Sequence, residues 1–177
     1  MSRIGKKAIF LPKDVVVTLT NNEIVIKGKY GILQKTLSDK LGFFADNEKI
    51  VISRHNEEKK SKEAHGLYRA LLQNMVTGVD KKFSKTLIAE GVGYRFQIEK
   101  NKIILNVGFT HPVAFEIPED LTIKLESNTK IQLSGIDREK VGFFAAKIRD
   151  MKPPEPYKGK GVKYAGETIV RKEAKKK

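Results

Sequence analysis

The chain repeats itself. Residues 62–75 read KEAHGLYRALLQNM and residues 138–151 read REKVGFFAAKIRDM, so Glu63, Gly66, Ala70 and Met75 recur as Glu139, Gly142, Ala146 and Met151. Lys62/Arg138, Leu67/Phe143, Tyr68/Phe144, Leu72/Ile148 and Asn74/Asp150 are chemically similar pairs. Two further blocks lie upstream in the same order. Ile24-Val25-Ile26 matches Ile103-Ile104-Leu105, and Ile50-Val51-Ile52-Ser53 matches Ile131-Gln132-Leu133-Ser134. Three blocks in one order mark a tandem duplication, with loop insertions absorbing the drift in spacing. The 177 residues are therefore two small domains, not one larger one.

Each half lays out several strands and then one helix. Tyr94, Phe96 and Ile98 alternate with Arg95, Gln97 and Glu99. Val113–Ile117, Leu121–Glu126 and Lys130–Leu133 alternate in the same way, which puts every second side chain on one face. In the first half the strand signals are Val15–Leu19, Glu23–Gly28, Ile32–Leu37 and Lys49–Arg54. Asn21-Asn22 and Lys100-Asn101 read as tight hairpin turns. Half-polar strands joined by short turns predict antiparallel sheets with one wet face. Ala64, Leu67, Tyr68, Leu71, Leu72 and Met75 predict the apolar stripe of the first helix, and Val141, Phe144, Ile148 and Met151 that of the second. The fold class expected is α+β: a duplicated small domain, each copy an antiparallel sheet covered by one helix. The boundaries expected are a basic arm over 1–8, repeats over 9–81 and 82–152, and a basic tail over 153–177.

Charge is concentrated at the ends. Lys and Arg number 35 against 21 acids, a net of +14. Residues 1–13 carry four bases and no acid; residues 151–177 carry nine bases and three acids. The centre is nearly balanced, as in an ordinary globular protein. Excess positive charge on this scale predicts a polyanionic partner. A membrane surface is the poorer choice, because Pro153, Pro154, Pro156, Gly159, Gly161 and Gly166 oppose an amphipathic basic helix. No apolar run approaches a membrane span, and Pro12, Lys13 and Asp14 interrupt any signal-peptide core after the basic start.

Catalytic and metal chemistry find no constellation. There is no Cys, which removes thiolate ligands and nucleophiles and fits a reducing compartment. His55, His65 and His111 stand too far apart for a ligand pair and read as turn or surface residues. No GxSxG or SxxK is present at a turn, and Gly159-Lys160-Gly161 lacks the strand, helix and spacing of a phosphate loop. Glu57-Glu58 beside Lys59-Lys60 reads as a solvated face. Gly91-Val92-Gly93-Tyr94-Arg95-Phe96 faintly resembles the aromatic strand of RRM domains, but Glu90 and Val92 replace its base and aromatic. Tyr94 and Phe96 are better read as core. No enzyme activity, cofactor, metal or small-molecule substrate is expected.

The segment after the second helix carries the most specific chemistry. Prolines end the helix and stiffen the path that follows. Tyr157-Lys158-Gly159-Lys160-Gly161-Val162-Lys163-Tyr164 then mixes cations for phosphates, glycines for close backbone approach and tyrosines for bases or riboses. Lys152, Arg171 and Lys172 extend this basic tail, and Arg3, Lys6 and Lys7 form the N-terminal counterpart. With few large apolar residues beyond Met151, the tail is expected to be disordered alone and ordered on RNA, with Gly159 and Gly161 at the closest phosphate approaches.

SRIGKK (Ser2–Lys7), RALLQNMVTGV (Arg69–Val79), VGYRF (Val92–Phe96), LNVGFTHPV (Leu105–Val113) and above all PPEPYKGKGVKYAGE (Pro153–Glu167) resemble the large-subunit ribosomal protein L-six family of bacterial and organellar type. The resemblance covers essentially the whole chain. It implies a tandem pair of α+β domains and a structural role binding large-subunit rRNA through the second domain and tail. Tyr157, Lys158, Gly159, Lys160, Gly161 and Lys163 are the tail contacts it implies, with Tyr164 beside them. It also implies neighbouring large-subunit proteins as partners, a place near the elongation-factor site beside the sarcin–ricin loop, and a bacterial cytoplasmic or plastid ribosome. The family's Gly-Pro-x-Gly turn reads Gly28-Lys29-Tyr30-Gly31 here, without the proline. A free RNA chaperone or translation regulator built on the same modules is the alternative.

Overall fold

The structure, a computed structural model, describes residues 4–20, 23–46 and 48–173. It divides into two compact units, one running to Lys82 with Ile136–Arg138 added, the other holding Phe83–Gly135 and the chain from Glu139 onward.

The first unit contains β1 (Ile9–Phe10), β2 (Val16–Thr20), β3 (Glu23–Gly28), β4 (Gly31–Thr36), β5 (Leu41–Ala45), β6 (Lys49–Arg54) and α1 (Lys59–Lys81). Its strands form two antiparallel sheets, β2-β3-β4 and β1-β6-β5. The second unit contains β7 (Phe83–Glu90), β8 (Arg95–Glu99), β9 (Lys102–Asn106), β10 (Val113–Glu116), β11 (Leu121–Ser127), β12 (Lys130–Gly135), α2 (Arg138–Met151) except its first residue, and β13 (Gly161–Tyr164). Its sheets are β8-β9-β10 and β11-β12-β7-β13.

The duplication is visible strand for strand. The order β1-β6-β5 returns as β7-β12-β11, and β2-β3-β4 as β8-β9-β10. The matched sequence blocks are the matched core strands: Ile24 and Ile26 on β3 against Ile103 and Leu105 on β9, Ile50 and Ile52 on β6 against Ile131 and Leu133 on β12, all buried. Each unit closes its own core, the first with Leu72, Val76 and Val79 of α1, the second with Val141, Phe144, Ala145 and Ile148 of α2. The predicted second-helix stripe agrees, with Met151 partly buried at its end.

Three details differ from the sequence reading. On α1 the predicted Ala64, Tyr68, Leu72 and Met75 pack on the core, but Ser61, His65, Val76 and Val79 share that buried face and Leu67 is exposed. His65 is therefore not a surface histidine: its Nε2 lies 3.0 Å from the Ile52 carbonyl oxygen. Each repeat is antiparallel sheet and one helix as expected, but the strands divide into two sheets, three and three in the first unit and three and four in the second, with β1, β5 and β7 the strands the alternation did not show. The tail is not a detached arm, since β13 is the fourth strand of a sheet. The Lys100-Asn101 turn joins β8 to β9 with Glu99 facing Lys102 and Lys100 at φ +52. The Asn21-Asn22 turn lies outside the described residues.

Lys82 is the last residue of the first unit's longer stretch. Lys82 follows α1 directly, donates its backbone N–H to the Gly78 carbonyl at 3.0 Å, and has φ +58 and ψ 157°. Phe83 already begins β7.

Candidate nucleic-acid interface

The tail is built by hydrogen bonds that follow from its prolines. Lys152 N–H still bonds the Arg149 carbonyl at 3.2 Å, after which Pro153 cannot extend the helix. Glu155 N–H donates to the Lys160 carbonyl at 2.9 Å and Gly159 N–H to the Glu155 carbonyl at 3.1 Å. These two bonds close a loop with Pro156, Tyr157 and Lys158 at its tip. Val162 N–H then bonds the Lys152 carbonyl at 2.7 Å, and β13 runs antiparallel along β7 with Val162 fully buried. Farther on, Lys172 N–H donates to the Pro156 carbonyl at 2.8 Å, returning the chain to the loop.

Four predicted cations meet here. Lys158, Lys160, Arg171 and Lys172 are all exposed, and none has a carboxylate partner among the described residues. The Arg171 guanidinium lies beside Gly159, about where a β-carbon would be 3.2 Å away. Lys152 stands at the base of the loop, its Nζ 5.4 Å from the centre of the half-exposed Phe109 ring. Tyr157 is 58% exposed and so offers a free ring face. The result is an aromatic tip ringed by uncompensated cations on a hydrogen-bonded frame, suited to phosphate and base contacts.

Gly161, Lys163 and Tyr164 have internal employment instead. Gly161 has φ +145, and a β-carbon there would lie 2.6 Å from the Pro153 carbonyl oxygen and the Pro154 Cα. Its missing side chain makes room for the chain's own prolines. Lys163 pairs with Glu90 of β7 at 2.5 Å and is mostly covered. Tyr164 packs on the second core, its ring 5.4 Å from Lys85 Nζ and 5.8 Å from the Arg149 guanidinium carbon. Phe96 is fully buried and Tyr94 half-buried against the same core, so neither forms a base-stacking platform of the RRM kind. Lys6 and Lys7 are exposed in the first unit, where the Lys7 carbonyl accepts a bond from Arg69 Nε at 3.2 Å. Arg3 lies outside the described residues.

Sequence reasoning missed the clamp that holds the tail down. Arg149 of α2 donates from Nε and Nη2 to the two carboxylate oxygens of Glu167, at 3.1 and 2.5 Å. Glu167 also accepts the Tyr164 backbone N–H at 2.9 Å. These bonds, the Arg149 side chain first, hold the Glu167 carboxyl below its ordinary range. The same pairing raises Arg149. The available signal was a lone acid within a basic run, Glu167 between Lys163 and Arg171.

Two stretches of the chain, residues 11–82 and 90–165, each match the model of the family described as ribosomal protein L6. The chain belongs to the ribosomal protein L6 family. The first match ends at Lys82, just after α1, and the second continues through β13. A protein of Dictyoglomus thermophilum named large ribosomal subunit protein uL6 is 49% identical over 176 residues, 99% of this chain and 98% of that protein. Proteins of the same name from Clostridium beijerinckii and Staphylococcus epidermidis are 46% and 44% identical, each across 99% of this chain and 98% of their own length. The L6 family is one of structural ribosomal proteins, not of enzymes.

Proposed function

We propose that this chain is a structural constituent of the large ribosomal subunit and binds folded large-subunit rRNA. The observation that carries the reading is the loop of residues 155–160, which gathers Lys158, Lys160, Arg171 and Lys172 around an exposed Tyr157, with no carboxylate ion-paired to them among the described residues. Four unpaired cations held together repel one another in the free protein, and a phosphate backbone relieves that repulsion. Lys152 and Gly159 complete this contact, with Arg3, Lys6 and Lys7 as a separate basic arm. Lys163 and Tyr164 support it from beneath, through Glu90 and the core. Neighbouring large-subunit proteins are its other partners, and a place near the elongation-factor-binding region is part of the proposal. The bacterial sources of the relatives favour a bacterial ribosome over a plastid one.

The test uses the full chain and a large-subunit rRNA fragment. Affinity should fall steeply with salt, and folded RNA should bind better than a scrambled strand, because helical RNA is recognised mainly by shape. Sedimentation of a lysate through high salt separates the alternative. A constituent stays with the large subunit in stoichiometric amount, whereas a free chaperone or regulator is released.

A further inference from the structure

The β3–β4 turn carries a second group of unneutralised cations, far from the tail in sequence. Its residues Lys29 and Tyr30 stand where the family resemblance leads one to expect Pro and any residue. Tyr30 N–H donates to the Val79 carbonyl at 3.1 Å, and Gly28 sits so close to Val79 that a β-carbon would lie 2.7 Å from its side chain. The turn is thereby fastened to the last turn of α1. Tyr30 remains 43% exposed. Lys82 Nζ lies 4.7 Å and Lys29 Nζ 5.6 Å from the centre of its ring. Neither ammonium has a carboxylate partner among the described residues.

Lys82 is also one of two non-glycine residues with positive φ among the described residues. Its φ of +58 with ψ 157 belongs to a region that is essentially glycine's own, and such strain concentrates at functional positions. Glycine would fit this junction better, yet a lysine occupies it and aims its charge at Tyr30.

We propose that Lys29, Tyr30 and Lys82 form a second RNA contact, on the first unit: a seat for one unpaired nucleotide, its base on Tyr30 and its phosphate between the two ammoniums. The inference rests on the RNA-binding reading above and adds a site to it. Only weak ring contacts hold the ammoniums, so they swing to phosphate oxygens at little cost. Every base has a face that stacks on tyrosine, while paired cations select for the attached phosphate.

The strained lysine makes a clean test. In the full chain, Lys82→Gly removes one charge while giving the backbone its preferred residue, so thermal stability should equal or exceed wild type. Binding to a large-subunit rRNA fragment should nevertheless weaken severalfold, with the salt slope reduced by about 0.7–0.9. Tyr30→Ala should lose roughly tenfold, Tyr30→Phe should bind within about twofold of wild type, and ultraviolet irradiation should join Tyr30 to the RNA. A parallel arm carries Lys158→Ala with Lys160→Ala. If that arm weakens binding while Lys82→Gly and Tyr30→Ala bind like wild type without a crosslink, the second contact is wrong and the first reading survives. An acidic protein as the true partner of the turn gives this same result. If no variant changes a salt-insensitive affinity, both readings fall.

Discussion

Arg149 and Glu167 face each other as a fork and a carboxylate, joined at 3.1 and 2.5 Å, and so fasten the tail turn to α2. Because folding lowers the Glu167 pKa, its charged form is the stabilising one. The contribution is complete above the unfolded carboxylate range, near about 4.3, and is lost as pH falls through the lower folded value. Denaturation midpoints followed from neutral to acid pH should show this loss in wild type. Glu167→Gln should be less stable at pH 7, by about 1–3 kcal/mol, and should lack that part of the acid-range decline.

Gly161→Ala should unfold the tail frame. The β-carbon meets proline backbone atoms that cannot turn aside, at a positive φ. A loss of at least ~2 kcal/mol is expected in thermal or urea denaturation. Gly159→Ala, whose β-carbon meets only the movable Arg171 side chain, should cost about 1–2 kcal/mol. A binding defect in a Gly161 variant would therefore report lost architecture, not a lost phosphate approach.

Lysines of the same short run should behave oppositely. Lys158→Ala with Lys160→Ala should leave stability unchanged and reduce the slope of log affinity against log salt by about 1.4–1.8, one phosphate for each lysine. Lys163→Ala should lower stability through the loss of the Glu90 pair and barely alter the slope. Filter binding across a salt series, beside calorimetry, distinguishes them.

Phe96→Ala should cost about 3–5 kcal/mol of stability, because its fully buried ring fills the centre of the second core. A variant that keeps wild-type stability but loses RNA affinity would overturn the assignment of this aromatic to the core.

The duplication was legible because both copies bury the same strand positions. Ile24, Ile26, Ile50 and Ile52 face their core as Ile103, Leu105, Ile131 and Leu133 face theirs, and burial constrains those positions to similar side chains. What the sequence hid had physical reasons. β5 reads LGFFA, a run with no clean alternation, and β1 is two residues long. The α1 stripe was legible in Ala64, Tyr68, Leu72 and Met75, which pack on the core, but Leu67 suggests burial more strongly than Ser61 or His65, and it is Leu67 that is exposed. At the interface, residue type identified the right segment but not each role. A lysine paired across strands and a lysine at a loop tip are identical letters until β13 is known to exist. Alternation of Gly161, Val162, Lys163 and Tyr164 was the available clue, masked by the basic composition around it.

Synthesis order gives β13 a further consequence. During translation β7 is made before β12 and long before β13, so one of its edges lacks a partner until the strand after the prolines appears. An unpaired edge invites pairing with another chain, a hazard for any newly made protein at high local concentration. The same late segment closes the loop of residues 155–160, because Val162 bonds back to Lys152 as β13 docks. Covering β7 and shaping the cationic loop thus happen together, and the edge that remains belongs to the four residues of β13 in place of the eight of β7, a shorter template for mispairing.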